Sequence, residues 1–344
     1  MSHAFPPPKP WNAKRHCQIL SFAEFCPPRT VTNEEIIASH GHTIPAALVR
    51  RTVGVEARRV AEADQADSDL LALAARICLE NAAFPVDCLS RIFCNKFLGD
   101  RILPPTASIV QRKLGATVAF PCMDIDGGSN SFLQAFETAA KCIAIGDGPI
   151  LLASGGIAHG VTSRTDPRTA FLYGDGAAAI LLAPSDEQHI LSTYFFSNQE
   201  YLDLHRTRPF VEFASVDREA PGAEAAMRDQ LQSGNWKDSL EFVLQAAVTT
   251  VGNLLEQAGT TFESVDRFLV SESNGPLWEA IQNHLGIPRS KTVSLLPRRG
   301  NTMSANLPMQ FCAAQSEHPL PSGATTLFLS FGEGISGGGI LYRH

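Results

Sequence analysis

No stretch of the 344 residues carries a run of apolar side chains long enough to cross a bilayer, for which about 20 are needed. The N-terminus, with prolines at 6, 7, 8 and 10, has no apolar core of the kind a secretory leader requires. Lysines and arginines form no stripe, and a net charge of −7 offers no footprint for nucleic acid. The eight cysteines, at 17, 26, 78, 88, 94, 122, 142 and 312, include no C-x-x-C pair and no metal-ligand spacing. They therefore read as reduced and mostly buried, and no metal site is expected. What these absences leave is a cytoplasmic enzyme, with no membrane and no nucleic acid among its partners.

What is present is a large apolar fraction, 44% of residues, ample for one large or two medium domains. The chain is organised around residues 123–146, which read as a short strand, a glycine turn and a helix. Phe132, Leu133, Phe136, Ala139, Ala140 and Ile143 recur at helical spacing, and Gly146 stops the run. Ser129 then sits at the helix entrance, where backbone N–H groups are unpaired and the dipole favours negative charge. Serine is a common N-cap. Gly127 and Gly128 before it also permit a tight turn and close approach by a substrate.

Around this stretch, residues 17–22 read as a first strand, Asn33 begins a helix capped by Thr32 or Asn33, residues 49–59 form a basic connector, a helix starts at Asp69, and residues 90–94 form a strand. The second half of the chain repeats this plan. Residues 111–115 are echoed by 282–286, Gly128-Ser129-Asn130 by Gly300-Asn301-Thr302, and 150–154 by a strand ending at Ser330, an offset of roughly 170 residues that stays nearly constant. An internal duplication accounts for it. Each half should be a mostly parallel sheet covered by helices, and a pseudo-twofold would set Ser129 and Asn301 at equivalent turns facing one crevice. Residues 1–185 form the first half, 186–240 an insertion at the pocket mouth, and 241–344 the second half.

Over nearly its whole length the chain resembles the β-ketoacyl-acyl-carrier-protein synthase III group of thiolase-fold condensing enzymes. The signposts are Thr32-Asn33, Val53-Gly54-Val55, Asp124-Ile125 with its glycine turn, the run Tyr173-Gly174-Asp175-Gly176-Ala177-Ala178, Gly300-Asn301-Thr302 and Phe331-Gly332-Glu333-Gly334. The resemblance implies an α/β, thiolase-like fold with duplicated mixed or parallel sheets in a five-layer αβαβα arrangement. It also implies a homodimer or paired heterodimer, with Leu103 at the position that enters the partner subunit's pocket. A nucleophilic Cys, a His and an Asn are implied for catalysis; by position they fall on Ser129, Glu272 and Asn301. Two of the three identities have changed. A serine hydroxyl, unlike a thiol, needs a base within hydrogen-bond reach, and Glu272 is the expected one, with Asn301 and the backbone N–H groups of Ser129 and of the turn at residue 333 as oxyanion donors. Asp175 is expected to hold its turn.

The resemblance implies no cofactor beyond an acyl-phosphopantetheine thioester substrate on coenzyme A or acyl carrier protein. The family's aromatic grip on coenzyme A is Leu48 here, and Thr52 stands where an arginine is expected. Arg50, Arg51 and Trp278 are the remaining candidates to bind the donor, with Arg58 and Arg59 a further patch for a carrier's acidic helix. A carboxylate beside the nucleophile opposes the negative charge of decarboxylative condensation, so acyl transfer to an alcohol or amine in fatty-acid-like or secondary metabolism is the leading expectation. A catalytically silent subunit paired with an active homologue, or a condensing enzyme trapped by Ser in place of Cys, stays open.

Overall fold

The computed structural model describes residues 5–9, 16–126, 128–159, 162–163, 166–202, 205–207, 231–233 and 236–344. In the first half the chain forms β1 (His16–Phe25), β2 (Arg29–Thr32), α1 (Asn33–His40), α2 (Ala46–Val53), β3 (Ala57–Val60), α3 (Asp67–Asn81), β4 (Arg91–Asn95), α4 (Thr106–Lys113), β5 (Cys122–Asp124), α5 (Ser131–Ala144), β6 (Ile150–Gly156), α6 (Pro167–Ala170) and β7 (Gly176–Ser185). The rest comprises β8 (Ile190–Ser197), a small ladder of β9 (His205–Thr207) with β10 (Leu231–Ser233), α7 (Leu240–Ala258), β11 (Arg267–Val270), α8 (Gly275–Leu285), α9 (Leu296–Arg299), α10 (Asn306–Glu317), β12 (Thr325–Gly332) and β13 (Ser336–Arg343).

Two sheets carry the duplication. The first runs β1-β7-β6-β4-β5 and the second β8-β13-β12-β11, so each strand of the second sheet has a counterpart in the same place in the first. Helices α5 and α10 lie between the sheets: Phe132, Phe136 and Ile143 share one apolar cluster with Leu307, Phe311, Phe328 and Tyr342. Outside the first sheet, α3 and α4 cover Ile92, Leu151 and Leu181. Outside the second, α7 and α8 cover Phe268, Leu327 and Leu341. Five layers follow, each helix face burying the stripe its periodicity prescribes. Phe136 is fully buried and meets Phe328 and Tyr342 at ring separations of 6.4 and 6.1 Å; truncating it to alanine would cost about 3–5 kcal/mol.

The sheets are mixed rather than mostly parallel. β4 pairs in parallel with β5 and β6, and β11 with β12, but β1–β7, β6–β7, β12–β13 and β8–β13 are antiparallel. The reason lies in the second sheet's shortest connection: Glu333–Ile335 join β12 directly to β13, and only an antiparallel pair can be closed so tightly. The segment from 186 also begins differently from expectation. Ile190–Ser197 pairs with β13 along its length, so it is the edge of the second sheet, and most of the remaining stretch assigned to a pocket-mouth insertion lies outside the described residues. Within residues 49–59, α2 continues to Val53 and β3 begins at Ala57. Thr32 caps α1: its hydroxyl accepts from Glu35 N at 3.2 Å while the Glu35 carboxylate accepts from Thr32 N at 2.6 Å. Asp124 holds the start of α4, accepting from the backbone N–H groups of Thr106 and Ala107 at 2.9 and 2.8 Å. Among the described residues no helix is long and apolar enough to cross a membrane, and no group of three His, Cys, Asp or Glu side chains is arranged to hold a metal ion.

Candidate active site

Ser129 lies in a single 3-10 turn, Gly128–Asn130, that feeds α5. It is buried, and it does not cap the helix: Asn130 holds the cap position, and the Ser129 hydroxyl turns instead to Glu333. Ser129 Oγ donates to Glu333 Oε1 at 3.1 Å, and Ser129 N donates to Glu333 Oε2 at 2.9 Å. One carboxylate thus accepts from both the side chain and the main chain of the same residue. Glu333 is delivered by the β12–β13 turn, so the second half of the chain places an acid on the first half's helix entrance.

Two glycines make the approach possible. Gly128 has φ +61°, and a Cβ there would come within 2.1 Å of Glu333 Oε2. A Cβ on Gly332 would stand 3.3 Å from that of Ser129. The turn is fixed from below as well. Ser330 Oγ donates to Ser129 O at 3.0 Å and lies 3.2 Å from Ser271 Oγ, which ties the neighbouring strand ends of the second sheet to the Ser129 turn. Tyr173 forms an isolated bridge to Asn301, and its phenol is pushed well above the usual range by burial and by the charge of Glu333.

Glu272 does not serve Ser129 as expected. Its carboxylate accepts from Leu295 N and Leu296 N at 2.9 and 3.2 Å, from Gln310 Nε2 at 2.9 Å, and from Ser294 Oγ; none of its hydrogen bonds goes to Ser129. Burial raises its pKa, and these four donors lower it only in part. The residue follows β11 and anchors the start of α9 to α10. Asn301 is engaged likewise: Nδ2 donates to Ser273 O at 3.1 Å and Oδ1 accepts from Met303 N at 2.7 Å. Ser129 and Glu333 are therefore brought together, whereas the amide of Asn301 and the carboxylate of Glu272 spend their hydrogen bonds on the loops around them. Glu333 was legible only as a backbone donor in its glycine turn; the signal for its side chain was the single carboxylate within Phe331-Gly332-Glu333-Gly334.

The expected donor-binding residues divide. Arg50 and Arg51 line a surface groove of about 960 Å³ together with Thr32, Glu56, Gly275 and Glu279, and Arg50 pairs with Glu56 at 3.3 Å. Trp278 is not available to a ligand there. It is 6% exposed within the core of the second sheet's outer layer, and its ring is covered by the Arg289 guanidinium at 5.0 Å. Arg58 is no surface patch either, since only 1% of it is exposed. Arg59 donates to Pro28 O at 2.9 Å. Leu103 projects from the surface with 77% exposure, and Asp175 holds its turn by accepting from the backbone N–H groups of Ala61, Ala158 and His159 at 2.8, 2.9 and 3.0 Å.

Residues 123–199 match the family model described as 3-oxoacyl-[acyl-carrier-protein (ACP)] synthase III, and residues 255–344 match its C-terminal counterpart. The chain is 30% identical over 328 residues to the β-ketoacyl-[acyl-carrier-protein] synthase III of Syntrophomonas wolfei, covering 95% of this chain and 97% of that one. It is 28% identical over 335 residues to the Methylococcus capsulatus protein of the same name, covering 96% and 99%. The crystal structure of 3-oxoacyl-(acyl carrier protein) synthase III from Pseudomonas aeruginosa PAO1 superimposes with a TM-score of 0.83 at 21% identity, over 96% of this chain and 98% of that one.

Proposed function

Because the chain belongs to the β-ketoacyl-[acyl-carrier-protein] synthase III family, whose members are acyl-transferring condensing enzymes, we propose that Ser129 accepts an acyl group from a coenzyme A or carrier-protein thioester and passes it to an alcohol or amine. The observation that carries this reading is the paired contact of Glu333 with the Ser129 hydroxyl and N–H. As Ser129 Oγ attacks the thioester carbonyl, its proton passes to Glu333. The neutralised carboxyl releases its hold on the Ser129 N–H, which turns to the oxyanion as charge develops there. When the intermediate collapses, the C–S bond breaks and the proton goes from Glu333 to the departing thiolate. In the second step Glu333 takes the proton of the acceptor hydroxyl or amine, the new ester or amide bond forms, and the proton returns to Ser129.

Decarboxylative condensation suits this site less well. An enolate about 4 Å from an ionised Glu333 would meet a repulsion of about 4 kcal/mol at an effective dielectric of 20, which outweighs a single neutral hydrogen bond. Arg50 and Arg51 are the groups we assign to the donor's phosphates, and Asn301 and Glu272 act by holding the loops that frame the site. The silent-subunit reading is favoured by one observation, that Ser129 N–H is already taken by Glu333.

Intact-protein mass spectrometry after incubation with acyl-coenzyme A and acyl-carrier-protein donors tests the proposal. A mass increase equal to the acyl group, mapped to Ser129 and lost in Ser129→Ala, is expected. No adduct with any donor, together with stable binding to a second synthase-like chain, would favour the silent subunit instead.

A further inference from the structure

Residues 5–9 lie against the outer layer of the second sheet with one side chain turned inward. Phe5 is half-buried, whereas Pro6, Pro7, Pro8 and Lys9 are exposed. The Phe5 ring meets Phe196 of β8 edge-on at 5.3 Å and stacks on Phe242 of α7 at 5.6 Å, separations at which aromatic pairs attract. Tyr194, two residues before Phe196 and so on the same face of β8, donates its hydroxyl to Pro6 O at 2.9 Å. The prolines fix φ and leave the segment little freedom to lose when it docks.

Phe5 backs the row of residues that sets the β12–β13 turn. Phe331, Gly337 and Phe196 are register partners across β12, β13 and β8, and only the pair Gly332 and Ser336 separates this row from the turn Glu333–Ile335. Gly337 has no side chain, so the two rings close over it, with their centroids 6.5 Å apart. A Cβ on Gly337 would stand 2.7 Å from an atom of each ring. The same strand end also holds the turn by its backbone, since Asn198 N, directly after β8, donates to Ile335 O at 2.9 Å. Phe196 is thus the common neighbour of Phe5 and of the residues flanking Glu333.

We propose that residues 5–9 form a strap through which Phe5 positions Glu333. With the Phe5 ring in place, Phe196 stays pressed against Phe331 over Gly337, and the turn that carries the carboxylate is held against Ser129. Without it, Phe196 loses support on that side, and Gly337 has no side chain to keep the pair in place. Phe5 is a positioning residue, acting on the reaction only through Phe196 and the turn. Its effect on acylation rests on the assignment of Glu333 as the base for Ser129; its hold on the turn does not.

Amide hydrogen exchange of the full chain, read by mass spectrometry alongside acyl loading of Ser129, tests this in Phe5→Ala. Peptides covering 196–198 and 331–337 should exchange about tenfold faster than in the parent, with the strands of the first sheet unchanged within about twofold. Loading at saturating donor should slow about 10–100-fold, the scale set by a displacement of about 1 Å. The half-saturating donor concentration should not move, because the groove of Arg50 and Arg51 is lined by other elements. Phe5→Leu, which keeps an apolar body, should restore most of both losses, and Phe5→Ala added to Glu333→Gln should slow loading no further. Unchanged exchange at the turn, or exchange raised evenly through both sheets, would overturn the proposal. So would parent-rate loading in Phe5→Ala where Glu333→Gln is slowed. Parent-rate loading in Glu333→Gln would remove the base assignment instead, and the exchange measurement then decides the strap alone.

Discussion

Each of the four strands of the second sheet has a counterpart in the five-stranded first sheet, but the link between the last two strands of each sheet differs. In the first half, β6 and β7 are joined by residues 157–175, which bring His159 and Tyr173 to a cavity. In the second half, β12 and β13 are joined only by Glu333–Ile335, and that turn presses one carboxylate onto Ser129. A long connection can enclose space; a three-residue turn can only present what it carries, at a place fixed by the hairpin. The difference teaches that link length sets which groups equivalent strands of duplicated sheets can present.

The same contrast separates Glu272 from Glu333. Glu272 is an anchor, so Glu272→Leu should cost about 3–5 kcal/mol of stability, because it strips the acceptor from four donors at once. Urea unfolding measures it, and a loss below about 1 kcal/mol would place Glu272 outside the scaffold.

In the first half, Asp67 fastens the start of the long link by accepting from Ile157 N at 2.7 Å, and from Gly99 N at 2.6 Å. Burial pushes this carboxyl from 3.8 up to about 6. A raised folded-state pKa favours the protonated form, so its contribution is fully present below about pH 4 and is lost as pH rises through about 6. The loss amounts to at most about 3 kcal/mol. Stability measured against pH should therefore fall less steeply between pH 4 and 7 in Asp67→Asn than in the parent chain; parallel profiles would remove Asp67 from the account. The smallest effect is expected at Ser330, whose bond to Ser129 O crosses from one half to the other. Ser330→Ala should cost about 1 kcal/mol, read from the shift in urea midpoint at constant slope.

The sequence carried the plan of the fold because the plan rests on periodicity. Phe132, Phe136 and Ile143 marked α5, and the echo of Gly128-Ser129-Asn130 in Gly300-Asn301-Thr302 marked equivalent turns. Strand direction was less legible, since buried parallel and antiparallel strands such as β6 and β7 are equally apolar throughout. The candidate site was half legible. Ser129 at a glycine turn is a local pattern, but which carboxylate meets it is decided by residues 204 apart in the chain. Glu272 and Glu333 look alike in sequence; only packing gives one of them four donors from its own half and leaves the other facing Ser129. Trp278 and Arg58 failed as surface residues for a similar reason. Aromatic and guanidinium groups carry enough apolar surface to be buried when a partner, here Arg289 for Trp278 or Asn33 for Arg58, is at hand.

The rate of acyl loading on Ser129 in two conservative variants, Glu333→Gln and Glu272→Gln, compares these acids most directly. Each keeps the shape of its side chain and removes the basic oxygen. Loading followed by quenched-flow mass spectrometry should fall by about 10²–10⁴-fold in Glu333→Gln and stay within about threefold of the parent in Glu272→Gln, apart from lower stability. Loading that survives in Glu333→Gln and collapses in Glu272→Gln would contradict the assignment of Glu333 as the base that serves Ser129.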